Sequence, residues 1–136
     1  MKLLQAFLPL TILSFCTACS TVPNTDTTAG VDVQVRQTVE SSFSDAPIMI
    51  KVAACESGLR QYARDGSVLR GIQHPPDSGV FQINKSAHRA MAQKLGLDLD
   101  TTQGNVAYAR HLYDTEGTAP WKSSRPCWSK YQTAGR

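Results

Sequence analysis

The chain has 136 residues, with 14 Lys and Arg against 11 Asp and Glu and a formal charge of +3. That is the length of one small domain, and the charge is too slight to argue for nucleic acid as a partner. Its three histidines, His74, His88 and His111, share no metal spacing with the cysteines, and no Ser-His-Asp or phosphate-loop pattern appears, so neither a metal nor a cofactor is expected.

The N-terminus has the three parts of an export signal. Lys2 supplies a positive start. "LLQAFLPLTILSF" is an apolar stretch too short to span a bilayer and interrupted by Pro9. "CTACS", Cys16 to Ser20, follows. Two outcomes are open. Cleavage near Ala18 would release a soluble protein. Alternatively, "CTAC" resembles a bacterial lipobox with Cys16 in the place of its Leu, so that Cys19 is lipidated and anchors the chain to a membrane. Counting cysteines favours lipidation. The chain has four, Cys16, Cys19, Cys55 and Cys127. If Cys16 leaves with the signal and Cys19 takes lipid, an even pair remains; simple cleavage leaves Cys19 as an odd thiol. Export implies an oxidising compartment, where disulfides persist. A Cys55–Cys127 bridge would close a loop of about 70 residues, worth about 4 kcal/mol in the chain-entropy model; the alternative is two unpaired, buried thiols. Loss of Lys2 with the signal lowers the charge from +3 to about +2, a mild positive balance that suits an anionic cell wall.

"STVPNTDTTAG", residues 20–30, is polar and reads as a flexible tether. The chain thus divides into a signal over 1–19, the tether over 20–30 and one domain over 31–136. From Asp32 to Phe43, Val35, Val39 and Phe43 recur every fourth position and predict an amphipathic helix. Its start is open, because Val31, Val33 and Val35 also alternate. "SDAP" then reads as a stop and restart, with Asp45 as N-cap and Pro47 in a first turn. The next helix is expected from Ala46 to about Ser57, ended by Gly58 in a left-handed conformation. "ARDGSVLRGIQHPPDSG" is turn-rich, with room for a short hairpin. "GVFQIN" is a short apolar run with polar teeth. Two more helices follow. One is spaced by Ala87, Met91 and Leu95 and ended by Gly96; the other is spaced by Val106, Tyr108 or Ala109, Leu112 and Tyr113 and ended by Gly117. The tail "APWKSSRPCW" reads as loop with one helical turn.

Glu56 is the residue whose place asks for an explanation. It falls in the last turn of a helix packed by Ile48, Met49 or Ile50, Val52 and Ala53. Burial disfavours a charged carboxylate, and so does the negative end of the helix dipole. A carboxyl kept protonated near neutral pH is what a general acid needs. The plainer alternative is a solvated Glu paired with Arg60. Gln82 and Asn84, two apart, point the same way on an alternating strand, where their amides can bind polar groups of a ligand or else hold their own turn. Gly79 would allow a close approach of a ligand or of Glu56. Trp121, in an open loop, reads as a cleft wall with a face free for stacking; Trp128 reads as core. His88 and His111 fall on helices and read as ordinary half-exposed residues.

"ESGL" at 56–59, "DSGVFQIN" at 77–84 and a helix bearing "NVAYARHLY" together resemble the lysozyme superfamily, and within it the lytic transglycosylases of SLT type that act on peptidoglycan. "CESG" with a distant "CW" is also similar to small secreted wall-lytic domains such as resuscitation-promoting factors. The resemblance spans residues 46–128. It implies a mainly α (α+β) lysozyme-like fold, with helices around a cleft and a short β-hairpin or strand segment. It implies cleavage of the β-1,4 bond between N-acetylmuramic acid and N-acetylglucosamine with Glu56 as the catalytic residue. It places Asp77, Gln82, Asn84, Tyr108 and Trp121 at the substrate, with core as the alternative for Tyr108. Ala109 stands one place after Tyr108 where the family helix has Gly, and the family's "Y-N-A-G" segment is missing. The expected partners are glycan strands and, through Cys19, a membrane; the protein is expected to be an exported monomer. Two other outcomes remain open: a retaining hydrolase using Glu56 and Asp77, and a lipoprotein that binds glycan without cutting it. Asp77 in "PPDSG" also reads as an ordinary turn residue.

Overall fold

Val35, Val39 and Phe43 are all buried, and the stripe they form makes the first helix. Val31, one turn earlier, packs against the same core. The computed structural model describes residues 28–131, and α1 runs over Thr28–Ser42. Thr28, Ala29 and Gly30, expected in the tether, are therefore helical. The alternating valines belong to the helix too, with Val33 turned to solvent. The signal-like segment, Cys16, Cys19 with its lipidation, and the tether up to residue 27 lie outside the described residues, as does the tail beyond Tyr131.

The second helix, α2, spans Ile48–Ser57 and buries Met49, Val52 and Ala53. Asp45 does not cap it. The first-turn amides of Met49 and Ile50 find the carbonyls of Ala46 and Pro47 instead, at 2.9 and 3.2 Å, so no side-chain cap is needed. Asp45 is free to grip Arg110 from the fourth helix through two hydrogen bonds, 2.7 and 3.0 Å. At the other end Gly58 is left-handed (φ 66°, ψ 31°), and its N–H turns back on the carbonyls of Ala53 and Ala54, as expected.

The turn-rich segment contributes single bridges, Tyr62 to Val68 and Arg70 to Ser78, in place of a full hairpin. The only sheet among the described residues is a pair of two-residue strands, β1 (Asp77–Ser78) and β2 (Ile83–Asn84). They run antiparallel, with Asp77 opposite Asn84 and Ser78 opposite Ile83. "GVFQIN" is thus mostly a turn, with Gly79 at φ 73° and Gln82 at φ 47°. Val80 and Phe81 plunge into the core from it.

Three buried polar side chains hold that turn. Ser57 donates to the Val80 carbonyl at 2.8 Å. Gln61 Oε1 accepts from the Val80 amide at 2.9 Å. Asn105 accepts from the Phe81 amide at 3.0 Å and donates to the Ser78 carbonyl at 3.0 Å. Gln61 and Asn105 are fully buried, so these bonds satisfy groups that would otherwise carry a desolvation cost. Gly79 has a different reason from the expected one. A Cβ there would collide with Asn105 and Gln61, so the missing side chain admits the two amides that brace the turn, in a left-handed conformation that favours glycine.

Asn84 caps α3 (Lys85–Lys94), its Oδ1 accepting from the Ala87 amide at 3.1 Å. The face expected to be buried is the wrong one: Met91 and Leu95 are each 44% exposed, and Ala87 is exposed too. The inward positions are His88 and Ala92, one turn apart, while Leu97 and Leu99, in the loop that follows, supply the apolar bulk. The last long helix, α4 (Thr102–Glu116), is capped by Thr101 and buries Val106, Tyr108, Ala109 and Leu112 as expected; Tyr113 packs partly buried against the same core. Its end at Gly117 also matches.

The tail is more ordered than a loop. It forms a 3₁₀ segment (Ala119–Ser124), a one-turn helix α5 (Arg125–Trp128) and a second 3₁₀ turn (Ser129–Tyr131). Cys127 is bridged to Cys55 on α2. Trp121 and Trp128 are both buried, and a row of rings at 5.3 and 5.8 Å joins Phe43, Phe81 and Trp121. The architecture is mainly helical with one small antiparallel sheet. The helices and the tail close around Phe81, and the turn that carries it faces the end of α2.

Candidate functional site

Glu56 occupies the last turn of α2, half-buried. Its Oε1 accepts a hydrogen bond of 2.6 Å from Ser124 Oγ, in the tail. Arg60 does not pair with it; Arg60 Nε donates to the Ser57 carbonyl at 3.2 Å. Burial holds the Glu56 carboxyl above its usual range. The Ser124 hydrogen bond opposes that shift, and the negative charge of Asp77 adds to it.

Two depressions meet at this carboxyl. One, of about 290 Å³, runs between the β-turn, α3, α4 and the tail, with Asn84, His88, Leu112 and Trp121 in its walls. The other, of about 600 Å³, runs along the end of α2 and the turn-rich segment, past Arg60, Arg70 and Gln73. Glu56, His74, Asp77, Gln82 and Ser123 line both. An elongated ligand crossing from one to the other would pass Glu56 and Asp77 at the junction. A third depression of about 570 Å³ lies beside α3, away from Glu56; Asp100 at its rim pairs with Lys85 and, at 3.6 Å, with Arg70.

Asp77, on β1, lines both depressions together with Glu56. Gln82 and Asn84 also line the cleft, but not as teeth of a regular strand. Gln82 is left-handed and spends one amide hydrogen on the Gly79 carbonyl at 2.8 Å. Asn84 spends its Oδ1 on the α3 cap. Each keeps amide donors that no described residue takes. Tyr108 is corrected: it is 1% exposed and does not line the cleft. Its hydroxyl lies 3.1 Å from Nδ1 of His88, and it is His88 that reaches the cleft wall. His88 is half-exposed, as expected of an ordinary helix residue, and lies between Tyr108 and the cleft. Trp121 lines the smaller depression but sits in a 3₁₀ segment, 4% exposed, not in an open loop. Its indole N–H is spent on the Phe81 carbonyl at 2.9 Å, so it is a fixed edge and not a free stacking platform.

Ser124 carries no signal that sequence reasoning could find. Its contact with Glu56 spans 68 residues, and nothing periodic marks a serine in a proline-containing tail. Asn105 did carry a signal, as a polar residue on the apolar stripe of α4 in line with Ala109 and Leu112. Among the described residues, no cluster of His, Cys, Asp and Glu is able to hold a metal ion. No protein-family model matches the chain, and searches among curated proteins and solved structures return no match.

Proposed function

We propose that this chain is an exported peptidoglycan lytic transglycosylase with a lysozyme-like fold, cleaving the β-1,4 bond between N-acetylmuramic acid and N-acetylglucosamine. The observation that carries the reading is the setting of Glu56: a carboxyl at the end of a buried helix, raised by burial, at the junction of two depressions. A raised carboxyl is an acid still protonated where ordinary ones are not. Glu56 gives its proton to the bridging oxygen, and the bond from that oxygen to C1 of the muramic acid breaks through a transition state of oxocarbenium character. Glu56, now a carboxylate, takes the proton of the muramic acid C6 hydroxyl. That oxygen bonds to C1 and leaves a 1,6-anhydro end, with no water consumed. Gln82 and Asn84 offer spare amide donors to the sugar's N-acetyl and hydroxyl groups. Lipidation at Cys19 would hold the domain at a membrane facing the periplasm or wall. Release of soluble fragments from purified sacculi tests the proposal. A glycan-binding lipoprotein would bind sacculi and release none.

Asp77 favours one further reading. It lines both depressions with Glu56 and its charge acts on Glu56, and a retaining hydrolase uses a second carboxylate near its acid as nucleophile. Asp77→Asn separates the two. In a transglycosylase the fragments should still form, with a loss of less than about 10-fold. The alkaline limb of the pH profile should move down, because a charge that raises the Glu56 pKa has gone. A loss of about 10³-fold or more would instead make Asp77 the nucleophile.

A further inference from the structure

Ser124 Oγ lies 2.6 Å from Glu56 Oε1 and 3.2 Å from the Trp121 carbonyl oxygen. A serine hydroxyl has one proton to give. The carboxyl is the nearer acceptor and, when ionised, the stronger. The Trp121 carbonyl also takes the indole N–H of Trp128 at 3.1 Å. The other oxygen of the carboxyl, Oε2, has no hydrogen bond from a described residue, and it is not among the buried atoms left without one. It is therefore open to the cleft that Glu56 lines.

Ser124 is well held for such a task. It ends a 3₁₀ segment, and three residues later Cys127 is bridged to Cys55, the residue before Glu56. Trp128, next in line, is buried. The disulfide and the Ser124–Glu56 hydrogen bond thus tie the same two segments together side by side.

We infer that Ser124 is a positioning residue that occupies Oε1 with its own proton, so that the proton Glu56 gives and takes resides on Oε2, facing the cleft. This rests on the transglycosylase reading of Glu56. In the forward step the Oε2–H bond breaks as the bridging oxygen gains the proton. In the second step the C6 hydroxyl loses its proton and the Oε2–H bond reforms. Oε1 keeps the same hydrogen bond throughout, so the group does not need to turn over between its acid and base roles.

The charges facing Glu56 are Asp77 on β1, His74 before it, His88 on α3, and Arg60 and Arg70 along the wider groove. Lys122 and Arg125 flank Ser124 on its own segment and are exposed. All of these stay in place when only the hydroxyl is removed, so a difference between variants isolates Ser124.

The test is a carbon-13 titration of the Glu56 carboxyl in the folded protein, alongside the pH profile of sacculus digestion. Ser124 donation favours the carboxylate, so Ser124→Ala should raise the titration midpoint by about one pH unit, the order of one charge-assisted hydrogen bond. Digestion near neutral pH should fall about 10-fold or more, with the alkaline limb displaced upward by the same amount. Ser124→Thr, which keeps the hydroxyl, should return both to wild type, and Ser124→Gly should behave as Ser124→Ala. A midpoint unchanged in both hydroxyl-free variants would overturn the inference, as would a Thr variant displaced as far as Ala. The titration does not depend on catalysis. If wild type released nothing from sacculi while the midpoints moved as expected, the transglycosylase reading would fall and the link between Ser124 and Glu56 would stand.

Discussion

Glu56→Gln is expected to lower the release of soluble fragments from purified sacculi by about 10³-fold or more, since in the proposed reaction one group serves as both acid and base and its proton has no substitute. The amide keeps the size of the carboxyl, so the fold should survive. Stability should in fact rise near neutral pH. The Glu56 carboxyl titrates above its usual range in the folded chain, burial being the main cause. Between the unfolded value and that raised one, the native state keeps a proton the unfolded state has lost. Stability therefore falls as pH rises through that window and stays lower above it. The variant escapes this cost, which solvent screening keeps small for a group partly open to solvent. Thermal unfolding should show Glu56→Gln ahead of wild type near neutral pH, with the gain vanishing at pH values below the ordinary carboxylate range. A variant that melts lower than wild type at neutral pH would mean that desolvation does not dominate at Glu56.

Replacing both bridged cysteines, Cys55→Ser with Cys127→Ser, is the second large effect. The bridge spans 72 positions, and a closed loop of that size contributes about 4 kcal/mol in the chain-entropy model. For a domain of this size that corresponds to a fall in melting temperature on the order of 15–25 °C. The effect should also reach the site. The bridge holds the tail, with Ser124 and Trp121, against the end of α2, so digestion should weaken at temperatures where the variant is still folded. A melting temperature within about 3 °C of wild type, with or without reductant, would show that the tail is held by Trp121 and Trp128 packing alone.

Much of this fold could be read from spacing. Val35, Val39 and Phe43 declared α1, Val106, Ala109 and Leu112 declared α4, and Gly58 and Gly117 marked two helix ends, because burial and backbone conformation act locally there. The third helix was misjudged on its face. Met91 and Leu95 are the larger apolar groups, but the core beside them is filled by Leu97 and Leu99 from outside the helix, and the helix turns only His88 and the small Ala92 inward. A stripe of side chains does not announce what else competes for the same space. The polar teeth Gln82 and Asn84 of "GVFQIN" suggest an alternating strand, but left-handed Gly79 and Gln82 fold most of it into a turn.

The candidate site divides along the same line. Glu56 carries a signal in its own neighbourhood, a carboxylate closing an apolar helix, whereas Asp77 alone reads as a turn residue and is expected at the site only through the resemblance of "DSGVFQIN". Ser57, Gln61 and Asn105, which brace the facing turn, and Ser124, which holds Glu56, act across 23, 19, 24 and 68 residues. Such contacts exist only once the chain has closed. The resemblance puts Tyr108 at the substrate and an open-loop aromatic suggests the same of Trp121, but their polar atoms are spent inside, on His88 and on the Phe81 carbonyl.

In the proposed reaction Glu56 turns the substrate's own C6 hydroxyl onto C1, and the mass of the products tests that step most directly. Sacculi digested by wild type should yield muropeptides with 1,6-anhydro ends, one water lighter than reducing ends, and digestion by Glu56→Gln alongside should yield almost none. Reducing ends as the main wild-type product, or anhydro ends undiminished in the variant, would contradict it.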